Sequence, residues 1–150
     1  MDLIQHAREL YTTGRMHDAL EAAQAACDRA PKDPEAWSLL GRVSRHTGLP
    51  AASDEAFRRA SQLDSRRSLP HRVSAERFRA LVQEAGAQVA VRVEPMPTEG
   101  HVRAGVDPDA LTNRDPHAPD VLVLFQVNHE NRCATEDALR ALIGRSLADG

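Results

Sequence analysis

The chain has 150 residues, of which 41% are hydrophobic and 27% are charged, and its formal net charge is -3. These values are typical of a globular protein with room for two small domains, and they exclude a fibrous or disordered chain. A mildly acidic chain with 3% aromatic residues and no block of Lys or Arg disfavours nucleic acid as the main partner.

The cysteines and the N-terminus point to a cellular compartment. Cys27 and Cys133 lie far apart, and Met1 to Leu10 lacks the basic and unbroken apolar regions of a secretory signal. We therefore expect a reduced, cytoplasmic protein. No apolar run approaches the ~20 residues that a membrane span requires, so no membrane association is expected.

The first 65 residues repeat with a period of 34. In each copy, small or apolar residues three and four apart are followed by a Gly-containing turn and a second stretch of the same kind, which predicts a helical hairpin. Trp37 and Phe57 are expected to fill the space between the hairpins. The matched positions are Leu3 and Trp37, Ala7 and Gly41, Gly14 and Gly48, Ala19 and Ser53, Ala23 and Phe57, and Ala26 and Ala60.

The motif Trp37-x-x-Leu40-Gly41, followed by Ser53, Phe57 and Ala60, resembles the tetratricopeptide repeat family over residues 1–65. The resemblance implies a concave face formed by the first helix of each hairpin. Ile4 lies on that face beside the predicted partner-binding residues, which are Arg8, Tyr11, Ser38, Arg42, Arg45 and His46.

A basic groove for an acidic or C-terminal peptide is one interpretation of this face. The other is that the arginines simply solvate an exposed helix surface. The Lys/Asn carboxylate clamp of chaperone-binding members of the family is not matched. Because such repeats usually stack in threes or more, two copies leave an apolar flank for another element to cover.

The second half of the chain changes pattern after residue 65. A helix starting at the N-cap Ser74 and two apolar strands are expected, with an irregular loop rich in Pro, Gly, Asp and His between the strands. A final helix is capped by Thr135. The predicted elements are the helix 73–85, the strand 89–93, the loop 94–120, the strand 121–127 and the helix 135–147.

The order of these elements, and the wording of residues 69–74, 89–95, 107–111 and 121–128, resembles the minimal zincin-like metallopeptidase family over residues 68–150. In that family the last helix carries H-E-x-x-H, which holds zinc and activates water. Asp149 stands here where the first His is expected. The resemblance therefore implies a domain with no catalytic residues, no metal and no cofactor.

The predicted fold is α+β, with two helical hairpins in a domain of residues 1–65 and a small α/β zincin-like remnant with a short sheet in residues 66–150. A zinc site built from His101, His117 and His129 is conceivable, although loop histidines are more commonly just solvated. The strand 121–127 could hold an extended peptide by strand addition, or could be the buried centre of its sheet.

The functional hypothesis is a non-catalytic protein-protein interaction module or adaptor that binds a protein or peptide through the repeat and the peptidase-like surface. A first alternative is a regulator or inhibitor of a protease, or an obligate subunit of a complex. A second alternative is a zinc metallopeptidase whose chain continues past Gly150 into the missing motif. The sequence leaves the partner and the oligomeric state open.

Overall fold

The computed structural model describes residues 2–150. Its chain forms two compact units: the first contains the residues up to Leu69 and also Thr98–Pro108, and the second contains Pro70–Pro97 and Asp109–Gly150. The segment Thr98–Pro108 is thus part of the first unit, although a division of the chain at residue 65 assigns it to the second domain. Within the described residues, eight helices and a three-stranded mixed sheet confirm the α+β class.

Short connections join most of the helices and strands, and the longest connection spans residues 64–74. The helices are α1 (Leu3–Thr12), α2 (Met16–Arg29), α3 (Pro34–His46), α4 (Pro50–Leu63), α5 (Ala75–Glu84), α6 (Glu99–Arg103), α7 (Gln126–Glu130) and α8 (Glu136–Asp149). The strands are β1 (Ala90–Glu94), β2 (Thr112–Asp115) and β3 (Ala118–Phe125). In residues 2–150, no helix has both the length and the apolar character that crossing a membrane requires.

The turns of the two hairpins have the same backbone conformation, 34 residues apart. The turns between the helices of each hairpin place Gly14 at a φ of 81° and Gly48 at a φ of 77°, a region that side chains disfavour. In the first turn the amide of Arg15 donates to Leu10 O at 2.9 Å, and in the second the amide of Leu49 donates to Ser44 O at the same distance. Both helical hairpins are therefore present as predicted, closed by the same turn.

Small side chains let the helices of the first unit approach closely. Ala7, Ala19 and Ala23 are all fully buried. In the second hairpin Ser53 Oγ donates a hydrogen bond to Gly41 O at 2.6 Å, so the hydroxyl of this buried serine is satisfied by the facing helix.

The two large residues of the second hairpin differ in burial. Phe57 is buried, whereas Trp37 is half-buried and packs against the edge of the core. The indole N–H of Trp37 donates to Pro31 O at 2.8 Å, and the guanidinium carbon of Arg59 lies 5.5 Å from the centre of its rings. Trp37 therefore closes the rim of the core instead of filling its centre.

The prediction of one irregular loop over residues 94–120 is wrong. This stretch contains α6, the strand β2 and the start of β3. α6 is capped by Thr98 and buries Val102 in the hydrophobic core of the first unit. A five-residue helix is too short to show a helical period in sequence, which is why composition alone indicated a loop.

The sheet of the second unit has the strand order β1-β3-β2, with β3 parallel to β1 and antiparallel to β2. β3 is thus the central strand, and its residues Leu122 and Leu124 are buried. The hypothesis that residues 121–127 add a peptide strand is wrong, because both edges of β3 are already paired. The strand also ends at Phe125, where α7 begins.

The helices α5 and α8 pack with the sheet in one hydrophobic core that contains Phe78, Leu124, Leu139 and Ile143. Each helix begins at its predicted cap: Ser74 Oγ accepts from the amide of Arg77, and Thr135 Oγ1 accepts from the amide of Ala138. Such caps satisfy amides that have no partner inside the helix.

Candidate functional site

The predicted partner-binding residues lie on α1 and α3 of the first unit, and the structure brings four of them together. Arg8 and Arg42 reach the same carboxylate, while Tyr11 and His46 pack edge to face with ring centres 5.3 Å apart. Ser38 and Arg45 are half-buried on α3, and Ile4 on α1 packs against the edge of the core.

Glu35 is the carboxylate at the centre of this group, and sequence reasoning missed it. Arg8 Nη2 donates to Glu35 Oε1 at 2.6 Å, Arg67 Nη2 donates to Glu35 Oε2 at 3.0 Å, and Arg42 Nη2 lies 3.7 Å from Oε1. We call Arg8, Glu35, Arg42 and Arg67 the arginine cluster. Arg67 follows Glu35 by 32 residues, so no local pattern links them.

The arginine cluster contains more arginines than acids. Three guanidinium groups surround the one carboxylate of Glu35. Arg67 also forms an ion pair with Asp64. Asp64 pairs with Arg66 too, so Asp64 and Arg66 together add no net charge beside the cluster. The side chains of the cluster are between 25% and 41% exposed, so a charged group from another molecule can reach them.

The arginines of the cluster lower the pKa of Glu35. Partial burial by itself raises the pKa of this carboxyl, but hydrogen bonds from Arg67 and Arg8 and the charge of Arg42 outweigh it and lower the pKa below its ordinary value. Glu35 is therefore ionised at neutral pH and holds the arginines in place.

Tyr11 is a buried residue that packs against Arg42 and His46. Its side chain is only 1% exposed, and the guanidinium carbon of Arg42 lies 5.8 Å from the centre of its ring. A cation over an aromatic face is attracted by the ring, so Tyr11 positions Arg42 as well as His46. Tyr11 consequently has little surface to offer to a partner.

A segment of the chain itself lies against the C-terminal ends of α1 and α3. We call Thr98–Pro108 the strap. Its Pro108 O is 3.0 Å from His46 Nε2, and its Arg103 Nε donates to Gly14 O at 3.4 Å. Val102 of the strap is 2% exposed and belongs to the core of the first unit. One end of the predicted groove is therefore occupied by an element that sequence reasoning assigned to a loop.

In the second unit, α7 carries three successive buried polar residues, of which His129 is fully buried. His129 Nδ1 is 2.7 Å from Phe125 O and Nε2 is 2.8 Å from Ser146 Oγ. Because a carbonyl only accepts, Nδ1 carries the proton and Nε2 accepts from the serine hydroxyl. Burial lowers the pKa of His129 to about 4, and the nearby charge of Arg132 adds to this effect.

Glu130 follows His129 and is 2% exposed. Its carboxylate accepts hydrogen bonds from Arg72 Nη1 at 3.2 Å, from the amide of Val73 at 3.0 Å and from Gln126 Nε2 at 3.0 Å. These hydrogen bonds hold residues 72 and 73, which precede α5, against the helix α7. Because the carboxylate of Glu130 has hydrogen-bond partners inside the unit, a role in folding is supported.

The conceivable zinc site of three histidines gains no support from the structure. His101 is engaged in the cap of α6, and both ring nitrogens of His129 have protein partners. His117 lies exposed in the turn between β2 and β3. Across residues 2–150, no group of three or more His, Cys, Asp or Glu side chains is arranged to hold a metal.

Both cysteines are free and buried. Burial raises the pKa of the Cys27 thiol to about 12, and the charges of Asp28 and Asp33 raise it further. Burial also raises the pKa of Cys133. Both thiols are therefore protonated at neutral pH and are poor nucleophiles.

Comparison with known proteins bears on the first unit. The family model described as tetratricopeptide repeat matches residues 2–43, which cover α1, α2 and most of α3. No curated protein and no solved structure matches the chain. Repeats of this type mediate protein-protein interaction through the surface that their stacked helices form. Together with the two hairpins closed by equivalent turns, the match confirms that the chain begins with tetratricopeptide-like repeats.

Proposed function

We propose that the chain is a non-catalytic protein-protein interaction module whose first unit binds an acidic segment of a partner protein. The arginine cluster is the observation that carries this proposal. It places three arginines around a single carboxylate on a partly exposed face of a repeat whose family serves protein interaction.

The chemistry of the cluster favours a carboxylate ligand. A guanidinium offers five N–H donors in a planar fork, which matches the two oxygens of a carboxylate. Glu35 has only two oxygens to share among three guanidinium groups. A Glu or Asp side chain, or a C-terminal carboxylate, would accept further charge-assisted hydrogen bonds from these guanidinium groups.

The test is binding of a fluorescein-labelled peptide that carries four acidic residues and a free C-terminus. The double variant Arg8→Gln/Arg42→Gln removes two members of the cluster without introducing a repelling charge. We expect it to weaken binding at least about tenfold, because each charge-assisted hydrogen bond contributes roughly 1.5–3 kcal/mol. The affinity should also fall as salt is added.

The matched control is Arg15→Gln/Arg58→Gln. These arginines are more than half exposed, and each pairs with an acid three residues away along the chain, Arg15 with Asp18 and Arg58 with Glu55. The control removes the same charge from other parts of the first unit and should leave the affinity within about twofold, allowing for long-range charge. Equal affinities of the two double variants would refute the role of the arginine cluster.

The second unit is proposed to be non-catalytic, and the buried polar residues of α7 support this. Both His129 and Glu130 are committed to hydrogen bonds that hold the unit together. The test is zinc analysis of the purified chain beside a casein hydrolysis assay. Stoichiometric zinc with peptide cleavage would favour the metallopeptidase alternative.

A second candidate function is a regulatory or obligate subunit of a larger assembly. The second hairpin leaves Leu49 45% and Leu63 37% exposed, and a subunit that packed there would cover apolar surface. This alternative predicts a stable complex that survives high salt, unlike binding through the arginine cluster. Size-exclusion chromatography with light scattering at 1 M salt, at which the Debye length is about 3 Å, separates the two.

A further inference from the structure

The strap contacts the first unit through few of its residues. Of the strap residues, Val102 and Pro108 are buried, His101 and Val106 are half-buried, and the other positions are exposed. A core element usually buries a continuous stripe of side chains. Two separated anchors with exposed residues between them are instead typical of a peptide docked on a surface.

The strap also holds its own conformation. Thr98 Oγ1 accepts from the amide of His101 at 3.1 Å, and the amide of Thr98 donates to His101 Nδ1 at 3.4 Å. This reciprocal cap offsets part of the cost of nucleating a short helix. Gly105, at a φ of 107°, then turns the chain after α6.

The surface beneath the strap complements it. Arg103 reaches Gly14 O at the C-terminal end of α1, where the helix dipole leaves a partial negative charge. Gly14 lacks a side chain at the point of closest approach: a Cβ there would lie 2.7 Å from Arg103 Cγ and 3.1 Å from Arg103 N. His46 at the end of α3 contacts Pro108 O.

From this complementarity we infer that the C-terminal ends of α1 and α3 form a second peptide-binding site, for which the strap is an intramolecular ligand. The site takes a capped helical turn with a β-branched apolar anchor followed by arginine, and a proline about six residues after the anchor. A partner protein that presents such a segment displaces the strap. The inference builds on the proposed interaction role of the first unit but assigns a site separate from the arginine cluster.

A tethered ligand has an effective concentration in the millimolar range, so it suppresses a free competitor of equal intrinsic affinity. The wild-type chain should therefore bind a free strap peptide weakly. A chain whose own strap cannot dock should bind it well, since the site is then vacant. This contrast separates a ligand from an ordinary part of the core.

The experiment uses the full chain with the whole strap, residues 98–108, replaced by an equally long Gly/Ser stretch, so that both anchors are removed. The probe is a fluorescein-labelled peptide with the sequence of residues 97–109, followed by fluorescence anisotropy. We expect the replaced chain to bind at least about tenfold more tightly than wild type. A probe with Val102→Asp should lose this binding, because a carboxylate cannot enter the apolar core without a partner.

Two further receptor variants test the geometry. Adding Gly14→Ala to the replaced chain should abolish probe binding, while adding Gly48→Ala should not, since a Cβ on Gly48 would meet no atom within 4 Å. Arg8→Gln should leave probe binding unchanged although it weakens the acidic peptide, so failure here is distinct from failure of the arginine cluster. The inference would be overturned if the replaced chain folded but did not bind the probe. Equal probe binding by the Gly14→Ala and Gly48→Ala variants would overturn it as well.

If the replaced chain loses its helical circular-dichroism signal, it has not folded and the peptide assay cannot be used. Hydrogen exchange of the wild-type chain then tests the inference. The amides of Val102, Ala104 and Gly105 are hydrogen-bonded within the strap, so their exchange reports its opening. We expect them to exchange at least about 100-fold faster than the central amides of α3, by local release. Equal protection of the strap and α3 would mean that the strap opens only when the unit unfolds, and would overturn the inference.

Discussion

Gly14 and Gly48 occupy equivalent turns of the two repeats, but a neighbouring segment packs against Gly14 and not against Gly48. Their φ angles are 81° and 77°, so both backbones favour glycine for the same reason. A Cβ on Gly14 would lie within 3.2 Å of backbone atoms of Arg103 and Glu99, whereas one on Gly48 would meet nothing within 4 Å. The pair is thus a natural control for the contact with the strap.

Alanine at the two glycines should have unequal effects on stability. Gly48→Ala should lower the free energy of unfolding by about 1–2 kcal/mol, the cost of a left-handed conformation for a residue with a Cβ. Gly14→Ala should cost roughly 1–3 kcal/mol more, because the added methyl also overpacks the strap. Urea denaturation followed by circular dichroism measures both. Equal losses would contradict the close packing at Gly14.

The contact between Gly41 and Phe57 should make the effect of one mutation depend on the other. A Cβ on Gly41 would lie 2.9 Å from the Phe57 ring, so Gly41→Ala should destabilise the chain by roughly 1–3 kcal/mol. In a Phe57→Ala background the clash is gone, and the same change should stabilise by about 1 kcal/mol because alanine favours a helix.

The double variant recreates the pair that the first repeat has in Ala7 and Ala23. Phe57→Ala alone should cost roughly 3–5 kcal/mol. Denaturant unfolding of the four proteins in this cycle gives the coupling energy. If Gly41→Ala has the same sign in both backgrounds, the two residues are not in the predicted steric conflict.

His129 should make the second unit less stable in mild acid. Its pKa of about 4 in the folded chain lies below the ordinary 6.5, so the folded state holds the neutral form. The resulting stability is complete above pH 6.5 and is lost as the pH falls from 6.5 through about 4, because the unfolded chain takes up the proton first. The total loss is about 3 kcal/mol.

The measurement is the free energy of unfolding in urea at pH 7.5 and at pH 4.5, for wild type and His129→Asn. Asparagine can still donate to Phe125 O but does not titrate. The variant should be less stable at pH 7.5 and should lose less stability on acidification. Parallel losses in the two proteins would show that other groups carry the pH dependence.

The buried carboxylate of Glu130 should be far more important for stability than an exposed one. Glu130→Ala leaves the amide of Val73 and the guanidinium of Arg72 without this acceptor, and should cost roughly 3–5 kcal/mol. Glu84→Ala is the control, since its side chain is half exposed and pairs with Arg77 and Arg140. It should change stability by less than about 1 kcal/mol. Thermal unfolding of both variants measures the shifts in Tm, and equal shifts would refute this ranking.

The sequence predicted which residues of α1 and α3 share a surface, but not all of their partners. The spacing of Arg8, Tyr11 and Arg42 correctly placed them on one surface, because helical period fixes which residues share a face. The same period places Glu35 on the face of Arg42, since it lies seven residues earlier on α3, and this signal could have identified the acid. The contacts of Glu35 with Arg8 and Arg67 could not be found this way, because no local rule relates positions 27 and 32 residues apart.

The second unit shows the same limit. Both helix caps were predicted, since a cap depends on the residue before the helix and the next three amides. The apolar run of β3 was correctly expected to be a strand, and of the two interpretations left open for it, the buried centre of the sheet is the correct one. β2 reads Thr-Asn-Arg-Asp, which has no alternation of apolar and polar residues, so the strand could not be recognised.

The sequence by itself determined the two hairpins, their glycine turns and the caps of α5 and α8, because each follows from the types and spacing of residues in one stretch of the chain. Tertiary structure decided that the strap lies at the ends of α1 and α3, that Glu35 binds three arginines, and that β3 lies at the centre of its sheet. Those arrangements join residues that are distant along the chain, and their energies exist only once the chain has folded.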